Sequence, residues 1–559
     1  MTYLNKKIRY SRFLTFLALP LCLMILSCAR NLERPDHVYY NGQVYTVDSA
    51  FTVVSAFAVR NGKIFATGSD QEMLALNPAG STDLLGKFVY PGFQDAHCHF
   101  YGFGTDKFRI WLTGTTSFEA VLDTLAAHRN QLQGDWLFGR GWDQNDWTVK
   151  EYPDKDALDS LFPEVPVFLL RIDGHAALAN QVALDLAGIT TDTRINGGIV
   201  EKKAGKLTGI LIDSAVDLVY SKVPGFSRTQ QVDGLLYAQQ NCFAVGLTSV
   251  TEAGLESAGL RLPLIMLIDS LQKEGKLNIR INAMAAMEDF AYFRQKGKVR
   301  TSLLKVHGFK IYADGALGSR GACLSAPYSD MPGHSGFLIH SPAYYDSAAA
   351  EIASIGFQMS THCIGDSAHH LVLSTYTKHV EDGNPLRWRI EHAQVTRPDD
   401  LELYRRMRII PSVQPVHATS DMYWAERRLG PERVQTAYAY RSLLEHAGMI
   451  AGGSDFPVES INPLYGFYAA VVRKDHQNYP EGGYQKENGI TRRDALRAMT
   501  IWSAYAAFSE EETGSLEKGK YADFVITDDD LMTAPEDQLW KIAVMATYVE
   551  GVLVYRRDK

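Results

Sequence analysis

The chain has 559 residues, 46% of them hydrophobic and 21% charged, the balance of a globular protein with one large core and an appendage. That mixture excludes a disordered chain and a multi-span membrane protein. Its 56 basic and 64 acidic side chains leave a net charge of −8, and with no long basic run nucleic acid is not an expected partner.

In chain order the first feature is an export signal. Lys6, Lys7, Arg9 and Arg12 precede an apolar run from Phe13 to Leu26, shorter than the roughly 20 residues that a membrane-spanning helix needs. The run ends Ile25-Leu26-Ser27-Cys28, which resembles the lipobox of bacterial lipoproteins. That resemblance implies removal of residues 1–27, a lipid on Cys28, and an exported protein tethered to a bacterial membrane, facing the periplasm or the cell exterior. An ordinary secretory signal with an incidental cysteine is the alternative. The remaining Cys98, Cys242, Cys323 and Cys363 are too few and too scattered for a disulfide framework. Strand alternation turns Cys98 and Cys363 away from their neighbouring histidines, as packing residues.

Residues 36–87 read as short strands with Asn41-Gly42 and Asn61-Gly62 turns, and the same texture returns over 512–559. The two ends are expected to form one composite β-sandwich domain. Between them, over 88–511, eight apolar runs alternate with helix-like stretches: Phe88 to His99, Gly246 to Ala253, Leu277 to Ala285, Val306 to Gly315, Gln358 to Asp366, Arg387 to Gln394, Ile409 to Ala418 and Met449 to Val458. Eight β/α units predict an α/β fold, a (β/α)8 barrel with its chemistry at the C-terminal ends of the strands. The gap after the first run requires an insertion at about 104–228, with strands such as Trp136–Trp142 and Val167–Ile172. Thr491 is placed to cap a helix carrying Ala495, Leu496 and Met499 on one face.

The polar residues in those apolar runs point to a metal. His97 and His99 sit two apart, so on a strand both imidazoles face one way. A lone His-x-His is equally a pair of satisfied polar residues. His362, His392 and Asp455, each near the end of another run, add donor types that would be costly to bury unpaired. Lys310 lies mid-strand, where it is either paired with an acid such as Asp314 or Asp455, or deprotonated and carboxylated to a carbamate bridging two cations.

The ordered set Pro-Gly-Phe-x-Asp-x-His-x-His, Lys310, His362, Arg389-Ile390-Glu391-His392 and Ser454-Asp455 resembles the amidohydrolase superfamily. Arg171-Ile172-Asp173-Gly174-His175, the run Asp314 to Arg320, and the run Gly514 to Asp523 are similar to its amidohydrolase-3 branch, which includes N-substituted formamide deformylase-like proteins. The resemblance implies one or two divalent metal ions, with zinc the expected ion. His97 and His99 would hold one ion, His362 and His392 the other, Lys310 would bridge them as a carbamate, and Asp455 would be both ligand and proton shuttle. The implied reaction is hydrolysis of an amide-type C–N bond, N-formyl or N-acyl, by metal-activated water. His175 is expected to hydrogen-bond the substrate carbonyl, with Trp142 and Asp314 also at the substrate; a structural histidine and a core tryptophan are the plainer readings. Met422, Tyr423 and Trp424 either face substrate or cover helix ends, and no role attaches to His307, His334, His340, His369, His370, His417 or His446. The partners expected are a small-molecule substrate and a membrane, with a homodimer left open. Two alternatives stand: hydrolysis of a lactone, ester or cyclic imide at the same centre, and a lipid-anchored binding protein without turnover.

Overall fold

The computed structural model describes residues 34–254 and 261–558; the signal segment and Cys28 lie outside the described residues. Eight parallel strands run in sequence order around a barrel: β1 (Phe93–Cys98), β2 (Leu247–Glu252), β3 (Arg280–Ala285), β4 (Leu304–Tyr312), β5 (Gln358–Cys363), β6 (Arg389–His392), β7 (Ile410–Val413) and β8 (Ala451–Gly452). Their apolar side chains are buried because both faces are covered, one by the barrel interior and one by helices. The seam between β8 and β1 is closed just beyond the ladder, where Asp455 N–H donates to His97 O at 2.7 Å and His99 N–H to Phe456 O at 2.8 Å.

Several runs are shorter as strands than their apolar length suggests. The first breaks at Gly92, where a Cβ would stand 2.2 Å from Thr248 Oγ1. Phe88–Pro91 therefore leaves the barrel and pairs with Phe524–Thr527. The seventh stops at Val413 because Pro415 opens the helix Pro415–Ser420. The eighth turns away at Asp455, whose φ is +63°.

The two chain ends share one small β-domain. One sheet has six strands, in the order Val552–Arg556, Val544–Val549, Phe524–Thr527, Phe88–Pro91, Gln43–Tyr45 and Val53–Val54. Its partner sheet has four, Lys63–Gly68, Ala56–Arg60, His37–Tyr40 and Gly80–Asp83. Tyr39, Val44 and Phe57 from one end pack with Phe524, Ile526 and Tyr548 from the other.

The insertion after β1 builds a seven-stranded sheet of its own, with Trp136–Trp142 and Val167–Arg171 at its centre and hydrophobic clusters on both faces. Thr491 caps the helix Arg492–Ala498 by accepting from Asp494 N–H. Cys98, Cys242 and Cys363 are buried free thiols and Cys323 is half-buried. Among the described residues no helix is long and apolar enough to cross a membrane.

Candidate metal centre

The C-terminal ends of five barrel strands open into one cavity of about 600 Å³, roofed by the insertion. On β1 the two-residue period aims His97 and the adjoining His99 at the same point. His99 Nε2 lies 3.2 Å and His97 Nε2 3.5 Å from Asp455 Oδ1. Donor atoms of all three residues fall within 4.8 Å of one another. The far nitrogen of each imidazole is already held: His97 Nδ1 by Glu391 Oε2 at 2.5 Å, and His99 Nδ1 by Gly254 O at 2.7 Å. Those bonds set the tautomers that leave Nε2 toward the centre.

His392, at the end of β6, lies with its ring 4.7 Å from both His97 and His362. Its Nδ1 is held by Gln414 Oε1 at 2.8 Å. Burial drives His362 and His392 well below the ordinary imidazole range, and burial with the nearby Lys310 lowers His97 to about 4. These rings are therefore neutral, with lone pairs available to a cation. Burial alone would raise Asp455, yet the bond from His99 and the neighbouring His97 and His392 hold it well below the usual carboxylate range. Its buried Oδ1 faces the Nε2 atoms of His99 and His97 at 3.2 and 3.5 Å without a well-aligned hydrogen bond. A buried carboxylate oxygen converging with imidazole nitrogens is the donor arrangement that a divalent cation completes, so these residues fit a metal.

Lys310 is 3% exposed, with Nζ 3.3 Å from His97 Nε2. Neither Asp314 nor Asp455 forms an ion pair with it among the described residues; burial lowers its amine to about 8, against the pull of Glu391 and Asp455.

Asp314 is among the residues lining the cavity. Its fully buried carboxylate accepts the N–H groups of Cys323, Ile364 and Gly365 at 2.8–3.0 Å, so it ties the loop after β4 to the end of β5 beneath His362. Trp142 is placed differently from its expected role at the substrate: it packs against Trp147 and Tyr152, and its Nε1–H donates to Leu169 O. A bulge at Gly141, whose φ is +106°, turns it out of register with Arg140 and onto the core face of the insertion. Of the aromatic loop after β7, Trp424 lines the cavity, whereas Tyr423 points outward and stacks on Tyr479.

His175 does reach the centre from the insertion, its ring 5.0 Å from that of His362. Its Nδ1 lies 2.7 Å from Asp213 Oδ1. Burial opposes the imidazolium, but Asp213 and Asp173 outweigh it and the pKa moves upward.

Sequence reasoning missed Glu391, Gln414, Asp213 and His417. Glu391 had a signal, since Arg389 and Glu391 alternate onto one face of a buried strand and so form an internal ion pair. His417 had none. It stacks 6.0 Å from His392 with its Nε2 unpartnered and 4.0 Å from Asp455 Oδ2, because the helix after β7 folds back over the barrel mouth.

A family model described as amidohydrolase family matches residues 81–555. The chain is 32% identical to YtcJ of Bacillus subtilis, a protein named as an amidohydrolase, over 93% of this chain and 99% of that one. It is 27% identical to an N-substituted formamide deformylase of Arthrobacter pascens, over 94% and 99% of the two chains. Among solved structures, a metal-dependent hydrolase from Pyrococcus horikoshii superposes with a TM-score of 0.72 at 28% identity, covering 89% of this chain and 99% of the other.

Proposed function

The chain belongs to the amidohydrolase family, and on that footing we propose that it hydrolyses the amide-type C–N bond of an N-formyl or N-acyl substrate, with zinc as its metal. The observation that carries the reading is the convergence of donor atoms of His97, His99 and Asp455 within 4.8 Å, with Lys310 and the rings of His392 and His362 beside them. His97, His99 and Asp455 would hold one ion, and His362 and His392 a second. Lys310 would join them as a carbamate, a reading supported by its lowered pKa and by the absence of an ion pair to it among the described residues. When bound, the metal supplies Lewis-acid polarisation of a carbonyl and a lowered pKa for water.

The chain's own groups then have defined work. Asp455 Oδ2 accepts the proton that water loses as its oxygen bonds to the carbonyl carbon. The same carboxyl returns that proton to the nitrogen as the C–N bond breaks, releasing a carboxylic acid and an amine. His175, whose pKa Asp213 and Asp173 raise, lines the cavity and in its protonated form would stabilise the charge growing on the carbonyl oxygen. Residues of the insertion and Trp424 line the cavity. The N-formyl preference is supported by the likeness to the formamide deformylase.

The test is Asp455→Asn, assayed with elemental analysis against N-formyl, N-acyl, lactone and imide substrates. The wild type is expected to turn over the N-formyl or N-acyl members. The variant should keep at least the second ion's complement of metal while turnover falls by about a thousandfold or more. Unchanged turnover would remove Asp455 from proton transfer, and a wild type active only on lactones or imides would replace the amide reading.

A further inference from the structure

His175 belongs to the insertion, yet the barrel decides where its ring points. Asp213 ends one strand of the insertion sheet and His175 precedes the strand beside it, with Asp213 N–H donating to His175 O at 2.8 Å. The Asp213 carboxylate accepts from His175 Nδ1–H and is otherwise enclosed, its side chain 1% exposed. The φ of Asp213 is +50°, in the left-handed region that Asp adopts more readily than most residues.

Two glycines on the loop that follows β4 lie against the carboxylate. A Cβ on Gly315 would stand 2.3 Å from both oxygens of Asp213, and one on Gly321 would stand 2.1 Å from Oδ2. Neither glycine has a positive φ. Their lack of a side chain is therefore a matter of space and not of backbone freedom, and the space is filled by this one carboxylate. The same loop is anchored under His362 by Asp314, through the Cys323 N–H.

We propose that Gly315, Gly321 and Asp213 form a single positioning device, a slot on the barrel loop that seats the Asp213 carboxylate and through it holds Nδ1–H and fixes the direction of the His175 ring. A carboxylate can only accept here, so Nδ1 carries the proton and Nε2 is the nitrogen turned to the cavity. The role of that nitrogen in turnover rests on the reading of His175 given above; the positioning itself does not.

The experiment uses full-length, metal-replete protein with histidine-selective 15N labelling, the His175 signal being identified by its loss in His175→Gln. In the wild type His175 is expected to show a protonated, hydrogen-bonded Nδ1. In Gly321→Ala and Asp213→Ala that signature should be lost or exchange-averaged, with metal content unchanged by elemental analysis. Asp213→Asn, which keeps the shape and an acceptor oxygen, should retain it in part. With an N-formyl amine as substrate, Gly321→Ala should lower kcat at least about tenfold. Combined with His175→Gln, it should add little to the loss that His175→Gln causes alone. A wild-type Nδ1 signature in Gly321→Ala, or losses that multiply in the double variant, would overturn the positioning device. Unchanged kcat in His175→Gln with the signature still sensitive to Gly321→Ala would instead overturn the catalytic reading of His175 and leave the device standing.

Discussion

Glu391 touches no cavity, yet it governs the most buried ligand candidate. It accepts from His97 Nδ1 and, on its other side, from Arg389, whose guanidinium also bonds Ala96 O and Ser412 Oγ. Removing the carboxylate charge frees the His97 tautomer and leaves a fully buried arginine undercompensated. Glu391→Gln is therefore expected to weaken metal binding by about 10- to 100-fold and to lower stability by about 3 kcal/mol, read by dialysis against graded zinc and by thermal melting. Unaltered affinity would count against the second contact's role. His307, on the other half of β4, makes a separate case. Burial, with Lys298, Lys305 and Arg300 adding to it, lowers its pKa to about 4, so the unfolded chain binds the proton more readily between about pH 6.5 and 4. Stability should fall as the pH drops through that window, and His307→Gln should flatten part of the slope in melts recorded at steps of pH. Cavity-facing His99, Asp455 and His392 could be named from their positions in strands. Gln414, His417 and Asp213 could not, because their relevance depends on which loop folds over which strand end.

At the scale of elements, the alternation of apolar runs with helical stretches located all eight barrel strands, but not where each one stops. Pairing across a ladder ends where a neighbour's geometry ends it, as Gly92 against Thr248 and Pro415 at the head of a helix show. The same holds between domains. Arg280 at the start of β3 makes two bonds to Asp523 in the chain-end domain and a third to Glu550, while its guanidinium lies 4.0 Å above the Tyr521 ring. Asp523 is 4% exposed. Asp523→Asn should uncouple the small domain from the barrel, costing about 3 kcal/mol because a buried charge is left half-neutralised. The expected sign is a lower first transition in calorimetry with the metal site intact; a single unshifted transition would show that the pair contributes nothing.

For the whole molecule, ion pairs tie the small domain to the N-terminal ends of barrel strands. Besides Arg280, Lys305 near the start of β4 pairs with Glu512, whereas the histidines and the cavity lie at the opposite end. Cys28 is six residues before Arg34, a span of at most about 20 Å when extended. A lipid on Cys28, proposed from the lipobox-like run, would hold the small domain toward the membrane and leave the mouth facing away. Cys28→Ser is accordingly expected to move the protein from the membrane fraction to the soluble fraction, with activity on a soluble substrate unchanged; persistence in the membrane fraction would remove the anchor. The sequence by itself determined the barrel, the insertion, the paired ends and the residue types of the centre, because periodicity and burial cost are local properties written along the chain. Only the tertiary structure decided that Trp142 faces a core, that Asp314 ties loops, and that His417 and Asp213 reach the cavity. Those outcomes depend on a bulge, on loop closure and on space left by absent side chains, which arise between segments and have no periodic trace in either one.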